Sequence, residues 1–424
     1  SVLSILTAHA QPISPAVLPA GEEWWPRASL ANVASQAAQT APEAAHEAAG
    51  ATTWNKYGGN PVLAPGPAGS FDSVGPVPSS VLYKDGLYWM WYSATRQIGG
   101  AYEIGLATSR DGLTWSKYEG NPVVKVGARD AWDDGTVIAP SVIFYDGLFR
   151  MWYRGIHGYP PGRQESIGLA TSPDGIHWTK YAANPVLTAG PAVWESKGLM
   201  SASVQVAAGV YKMWYVGQGG DAATARIGYA TSTNGVDWTK YDGNPVVDVG
   251  PQGSWEDYRV LYPSVLFHDG MYEMWYTGST LPLSNQVGHA LSADGVEWTK
   301  SSLNPVLKPD GYASWEQSSA MMGAVLLQSG VYKMWYAGGS MQPEQRTGYA
   351  TTGLVAMAGL DFVIGKNSYQ FSNSDQRWGK YPGTAGDFGT AELITVFGAE
   401  NVCTFSRGSC VPKAAANEWA GWIN

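Results

Sequence analysis

Asp134, Asp257 and Arg259 are the residues of this chain whose types and placement could do chemistry. Two carboxylates can serve as general acid and general base, and a guanidinium can clamp a substrate between them. The three stand out because the chain around them is written in columns. Asp72, Asp133, Glu195, Glu256 and Glu316 each follow an aromatic residue, and each lies eight positions before Ser80, Ser141, Ser203, Ser264 or Ala324. A carboxylate needed once in a site has no reason to recur in every unit, so this ring reads as a set of structural caps. The next column is mixed: Ser73, Asp134, Ser196, Asp257 and Gln317. Two positions further on stand Gly75, Thr136, Gly198, Arg259 and Ser319, with Lys197 and Tyr258 in between. The catalytic candidates are therefore Asp134 and Asp257, with Glu256 beside Arg259. Arg259, Lys197 and Tyr258 are candidates for substrate contact, joined by Arg154 and His157 from the variable segment after Tyr153. His157 is a candidate proton carrier. The same residues would also make a satisfied ion-pair network.

The elements that must position them follow from a repeat. Met-Trp-Tyr occurs at Met90, Met151, Met213, Met274 and Met334, at intervals of 60 to 62 residues. A fixed period of this size marks a repeat architecture. Each copy parses into four strands. An apolar run such as Val81-Leu82-Tyr83 ends at Asp85-Gly86, and the aromatic strand Leu87 to Ser93 follows. After a variable loop, Ile104 to Ser109 ends at Asp111-Gly112 and leads into Thr114-Trp115-Ser116-Lys117-Tyr118. Asp-Gly between alternating apolar runs predicts type I′ hairpins. A four-stranded antiparallel unit said five times predicts an all-β fold, a five-bladed β-propeller. The fifth copy lacks its last strand, and Thr53-Trp54-Asn55-Lys56-Tyr57 supplies one at the other end. An N-terminal strand is thus expected to close the ring over residues 51–352, which removes two open sheet edges. The Asp-Gly turns share one face, so the long variable loops share the other, where ligand contacts belong.

Composition narrows the partners. The net charge of −9 and pI near 5.2, with no basic block, argue against nucleic acid. No apolar run is long enough to span a membrane. Ser1 to Ala10 reads as the end of a secretory signal, with Ala8-His9-Ala10 as the cleavage pattern, which predicts a secreted or cell-surface protein. Residues 1–50 read as a leader or linker. Residues 353–424 read as a small mixed helix-and-loop extension, or the start of a second domain, with helices expected over 391–397 and 413–422. Cys403 and Cys410 are expected to form a disulfide in a secreted chain. Two cysteines alone are too few for a structural zinc site, and no cofactor is expected.

The phrases Asn121-Pro122-Val123-Val124, Pro140-Ser141-Val142, Met151-Trp152-Tyr153, Ile167 to Ser172 and Asp174-Gly175-Ile176-His177-Trp178 resemble the five-bladed propellers of the glycoside hydrolase family 43, 32 and 130 group. The resemblance covers residues 53–352 and implies a polysaccharide or oligosaccharide partner. Family 43 enzymes carry an Asp base, a pKa-tuning Asp and a Glu acid at inner-strand positions. The corresponding motif falls on Ala139-Pro140-Ser141, with serine in place of the acid, and no residue of 76–83 or 137–145 is acidic. Three expectations result: a hydrolase using the loop acids, a glycan-binding propeller without catalysis, and a structural module meeting a surface partner or another copy through the leader or the C-terminal extension. Glycan recognition ranks first, on fold. An active site would show two carboxylates about 5–10 Å apart facing an open pocket.

Overall fold

All three side chains of every Met-Trp-Tyr are buried; Met90, Trp91 and Tyr92 are each 0% exposed. Consecutive strand residues point to opposite faces, so burial of all three means that each sheet is covered on both faces. The computed structural model describes residues 54–158, 162–220, 224–281, 284–339 and 345–352, together with the backbone of five short strands between 362 and 412. The leader, and the two helices expected after residue 390, lie outside the described residues.

The chain enters through β1 (Trp54–Lys56). The first unit is β2 (Val77–Lys84), β3 (Leu87–Thr95), β4 (Tyr102–Ser109) and β5 (Ser116–Lys117); the second is β6 (Thr136–Tyr145), β7 (Leu148–His157), β8 (Gln164–Ser172) and β9 (Thr179–Lys180). The third is β10 (Gly198–Ala207), β11 (Val210–Gly219), β12 (Thr224–Ser232) and β13 (Thr239–Lys240); the fourth is β14 (Arg259–His268), β15 (Met271–Thr280), β16 (Ser284–Ser292) and β17 (Thr299–Lys300). The fifth has β18 (Ala320–Gln328), β19 (Val331–Gly338) and β20 (Arg346–Thr352), and β1 pairs antiparallel to β20, Trp54 opposite Thr352. Within each unit the strands pair in sequence order, and a single parallel bridge, Ala225 to Arg259, joins the third sheet to the fourth. The architecture is all-β and propeller-like.

The two kinds of turn differ. Between first and second strands both central residues are left-handed, Asp85 at φ 53° and Gly86 at φ 75°, as type I′ requires. Between third and fourth strands only the glycine is, Gly112 at φ 77°. There the aspartate caps instead: Asp111 Oδ1 accepts from the N–H groups of Leu113 (2.8 Å) and Thr114 (2.7 Å). The type I′ expectation for these second turns is corrected by that side-chain cap, which offers the backbone a local alternative.

Neighbouring units are stitched by the repeated residues. The indole N–H of Trp91, Trp152, Trp214 and Trp335 donates to the turn carbonyl of Gly175, Gly235, Gly295 and Gly112, the last bond joining the fifth unit to the first. The hydroxyls of Ser80, Ser141, Ser203 and Ser264 accept from Val142, Val204, Val265 and Val325 N–H in the next unit. The first strands contact one another in turn, β2 to β6, β6 to β10, β10 to β14, β14 to β18 and β18 to β2. Trp275 would need the Asp-Gly turn that the fifth unit lacks. Its Nε1 and that of Trp54, which packs edge-on against it at 6.3 Å, have no acceptor among the described residues.

In the C-terminal stretch the described elements are strands. β21 (Phe362–Ile364), β22 (Asn367–Ser372) and β23 (Arg377–Tyr381) form one sheet, and β24 (Cys403–Ser406) with β25 (Ser409–Pro412) forms a hairpin. No helix is expected over these segments, and they pair as strands because β-branched and aromatic residues flank short turns. Cys403 pairs with Pro412 and Cys410 with Phe405, so the cysteines are offset by two positions. Such a diagonal spans about 7–8 Å between Cα atoms, longer than a disulfide usually bridges. The expected disulfide finds no support in this register.

Candidate functional site

The ring of acids is structural in every unit. Asp72, Asp133, Glu195, Glu256 and Glu316 are all buried, and each meets the lysine of a Trp-x-Lys strand: Lys117 (2.5 Å), Lys180 (2.6 Å), Lys240 (2.8 Å), Lys300 (2.9 Å) and Lys56 (2.5 Å). The tyrosine of Met-Trp-Tyr closes the group, as in Tyr153, whose hydroxyl donates to Asp133 Oδ2 at 3.0 Å. Burial, reinforced by the carboxylate, pushes the phenols of Tyr153 and Tyr276 far above their ordinary range, so they stay donors. Lys56 on β1 does for the fifth unit what Lys117 does for the first. Glu256, a catalytic candidate from sequence, is one of these caps, held by Lys300.

Asp134 sits in the loop before β6. Its Oδ2 accepts from Asp130 N–H at 2.8 Å, and its Oδ1 lies 3.0 Å from His157 Nδ1. Nδ1 also faces the Ala131 carbonyl at 3.0 Å, so with two acceptors before it this nitrogen carries the proton. The backbone donor and the imidazole hold Asp134 below the usual carboxylate range, and the Asp134 hydrogen bond raises His157. His157 therefore contributes stability that is fully present below its unfolded pKa of about 6.5, and that is lost as pH rises through the folded value. Asp134, with its lowered pKa, loses its share only as pH falls into the acid range. His157→Gln is expected to lower the melting temperature at pH 5.5 and to leave it nearly unchanged at pH 9; a larger effect at pH 9 would contradict the assignment.

Asp257 repeats the capping role two units on, with Oδ2 accepting from Gly253 N–H at 2.8 Å. Arg259 lies over the Tyr258 ring at 4.4 Å and donates to its hydroxyl at 2.8 Å. Lys197 is exposed, and its backbone N–H donates to Gln218. The structure thus brings together Asp134 with His157, and Tyr258 with Arg259, but gives Asp134 and Asp257 separate backbone partners.

Two cavities of the described fold bear on the site. One, of about 340 Å³, is the central channel lined by the first strands of every unit, from Ser79–Leu82 round to Gly323–Leu326, and among the described residues no carboxylate lines it. The other, of about 420 Å³, opens on the loop-bearing side. Its polar wall is Tyr102, Thr136, Arg154, Arg163, Tyr262 and Gln345. Asp134, Asp257, Glu256, Arg259, Lys197, Tyr258 and His157 do not line it; Arg154 does, as does Arg163, which the sequence also offers in the variable loop after Tyr153. Arg154 occupies the position after Met-Trp-Tyr where other units have Ser93, Val216, Thr277 and Ala337. It is buried on β7 and paired with Glu165 on β8, which also takes Arg163 Nε at 2.6 Å. Tyr262 stands at φ 49°, an unusual value for a bulky residue, at the β-bulge between Leu261 and Ser264. Sequence reading missed Tyr102, Tyr262 and Gln345. Tyr262 had a signal: it is the aromatic in a column otherwise Pro78, Ala139, Ser201 and Met322.

The comparisons with known proteins agree with this fold. A model of the glycosyl hydrolases family 32 N-terminal domain matches residues 139–316. The protein Rv1502 of Mycobacterium tuberculosis is 32% identical over 224 residues, which is 51% of this chain and 72% of that protein. The A type blood N-acetyl-alpha-D-galactosamine deacetylase of Flavonifractor plautii is 24% identical over 370 residues, 76% of this chain and 46% of that protein. Among solved structures, the beta-1,2-mannobiose phosphorylase of Listeria innocua, in complex with beta-1,2-mannobiose, superposes with a TM-score of 0.58 at 13% identity, over 72% of this chain and 98% of its own. That likeness is one of fold.

Proposed function

The chain belongs to the same family as the Mycobacterium tuberculosis protein Rv1502 and is a propeller of the glycoside hydrolase family 43, 32 and 130 type, and from that premise we propose that it recognises a glycan in the cavity walled by Arg154, Tyr262 and Gln345. The observation that carries this reading is the cavity itself. At about 420 Å³ it has the size of a small-ligand site. Tyr102 and Tyr262 offer ring faces for sugar C–H groups, and Thr136, Gln345 and the guanidinium groups offer partners for hydroxyls. The scaffold is read as five blades, the fifth completed by β1. The Lys56–Glu316 pair and the Trp335–Gly112 hydrogen bond support that closure. In this reading Asp134, Asp257 and Glu256 hold loops rather than substrate.

The test is a panel of oligosaccharides titrated against the purified chain. Tyr102→Ala and Tyr262→Ala are expected to weaken binding about tenfold, equivalent to about 1.4 kcal/mol, with the melting temperature retained. Asp134→Asn and Asp257→Asn are expected to bind as the parent does. If instead the aspartate variants lose binding and the tyrosine variants keep it, the site lies at the loop acids.

A further inference from the structure

The charge around the cavity is uneven. Arg154 is 7% exposed, and a guanidinium so far from water ordinarily has its donors satisfied. Here Nη2 is bonded to Glu165, while Nε is buried with no acceptor among the described residues. Glu165 serves two cations, Arg154 and Arg163, so the three carry a net positive charge. Among the described residues no carboxylate lines the cavity, and the nearby Asp134 is committed to His157 and to the Asp130 N–H. Of the remaining polar wall, Thr136, Tyr262 and Gln345 can donate from hydroxyl or amide. A cationic, donor-rich pocket fits an oxyanion better than a neutral ring.

We propose that the Arg154 cavity takes the carboxylate of an acidic sugar, so that the glycan recognised is one containing uronic acid. This rests on the glycan reading above and sharpens it. Inorganic phosphate carries the same oxyanion chemistry and is the source to be distinguished.

The experiment titrates the full chain by calorimetry with trigalacturonate, with the methyl ester of the same trisaccharide, and with inorganic phosphate. The free acid is expected to bind at least about tenfold more tightly than the ester, and its affinity is expected to fall as salt rises. Arg163→Gln, on the more exposed of the two arginines, is expected to remove most of that preference while leaving the melting temperature in place; Arg154→Lys is expected to reduce it as well, because a point charge does not replace a fork of donors. Equal affinity for acid and ester overturns the inference and leaves glycan recognition standing. Phosphate competing as strongly as the free acid assigns the site to free phosphate and also overturns it. Binding of neither sugar, across these and neutral oligosaccharides, overturns both readings.

Discussion

Lys240→Met is expected to cost about 3 kcal/mol, because it leaves a carboxylate buried without its cation. The Glu195 side chain is 4% exposed and that of Lys240 is 25% exposed. Breaking a buried pair from one side typically costs about 3–5 kcal/mol, and the partly wet lysine puts this case at the lower end. Lys240 Nζ reaches both Glu195 oxygens at 2.8 Å and also the Thr188 carbonyl at 2.8 Å, so three acceptors lose their donor together. The control is the double variant Lys240→Met with Glu195→Leu, which removes the stranded charge and is expected to recover part of the loss. Denaturant unfolding measures both. A single variant within about 0.5 kcal/mol of the parent, the range of ordinary surface substitutions, would mean that the ring of acids is solvated rather than structural.

Deleting residues 51–58 is expected to have the larger effect, loss of the single cooperative melting transition. β1 contributes Trp54, 6% exposed and packed on Trp275, and Lys56, whose ammonium meets Glu316 at 2.5 Å. Losing a buried tryptophan costs about 3–5 kcal/mol, and stranding Glu316 adds about 3 kcal/mol more. Together these approach the about 5–15 kcal/mol by which most domains are stable. β20 would also become an open edge, a template for aggregation. A deletion variant that melts cooperatively at the parent temperature would contradict the proposed closure.

The scaffold was legible because every unit repeats its solution. Met-Trp-Tyr, the acid column, the serine column and the trailing Trp-x-Lys each recur at intervals of 60 to 63 residues, and each makes the same contact in every unit where the chain supplies it. The lysine column stood in plain view; its pairing with the acids was not, since the partners lie on opposite ends of a unit and meet only when the sheet folds. The site was less legible for a related reason. Tyr102, Arg154, Tyr262 and Gln345 come from four different units, and their proximity depends on how the units are arranged. The position of Tyr262 depends further on a bulge and a left-handed backbone that no periodicity announces. Asp134 and Asp257 were conspicuous as broken symmetry, yet a loop that needs one more cap breaks symmetry as effectively as a site does.

The most direct measurement is a crystal of the full chain soaked with an oligosaccharide that binds it in solution. Recognition in the cavity places sugar density against Arg154, Tyr262 and Gln345, with Asp134 still bonded to His157. Density in the central channel, or against Asp134 or Asp257 with the cavity unfilled, would contradict it.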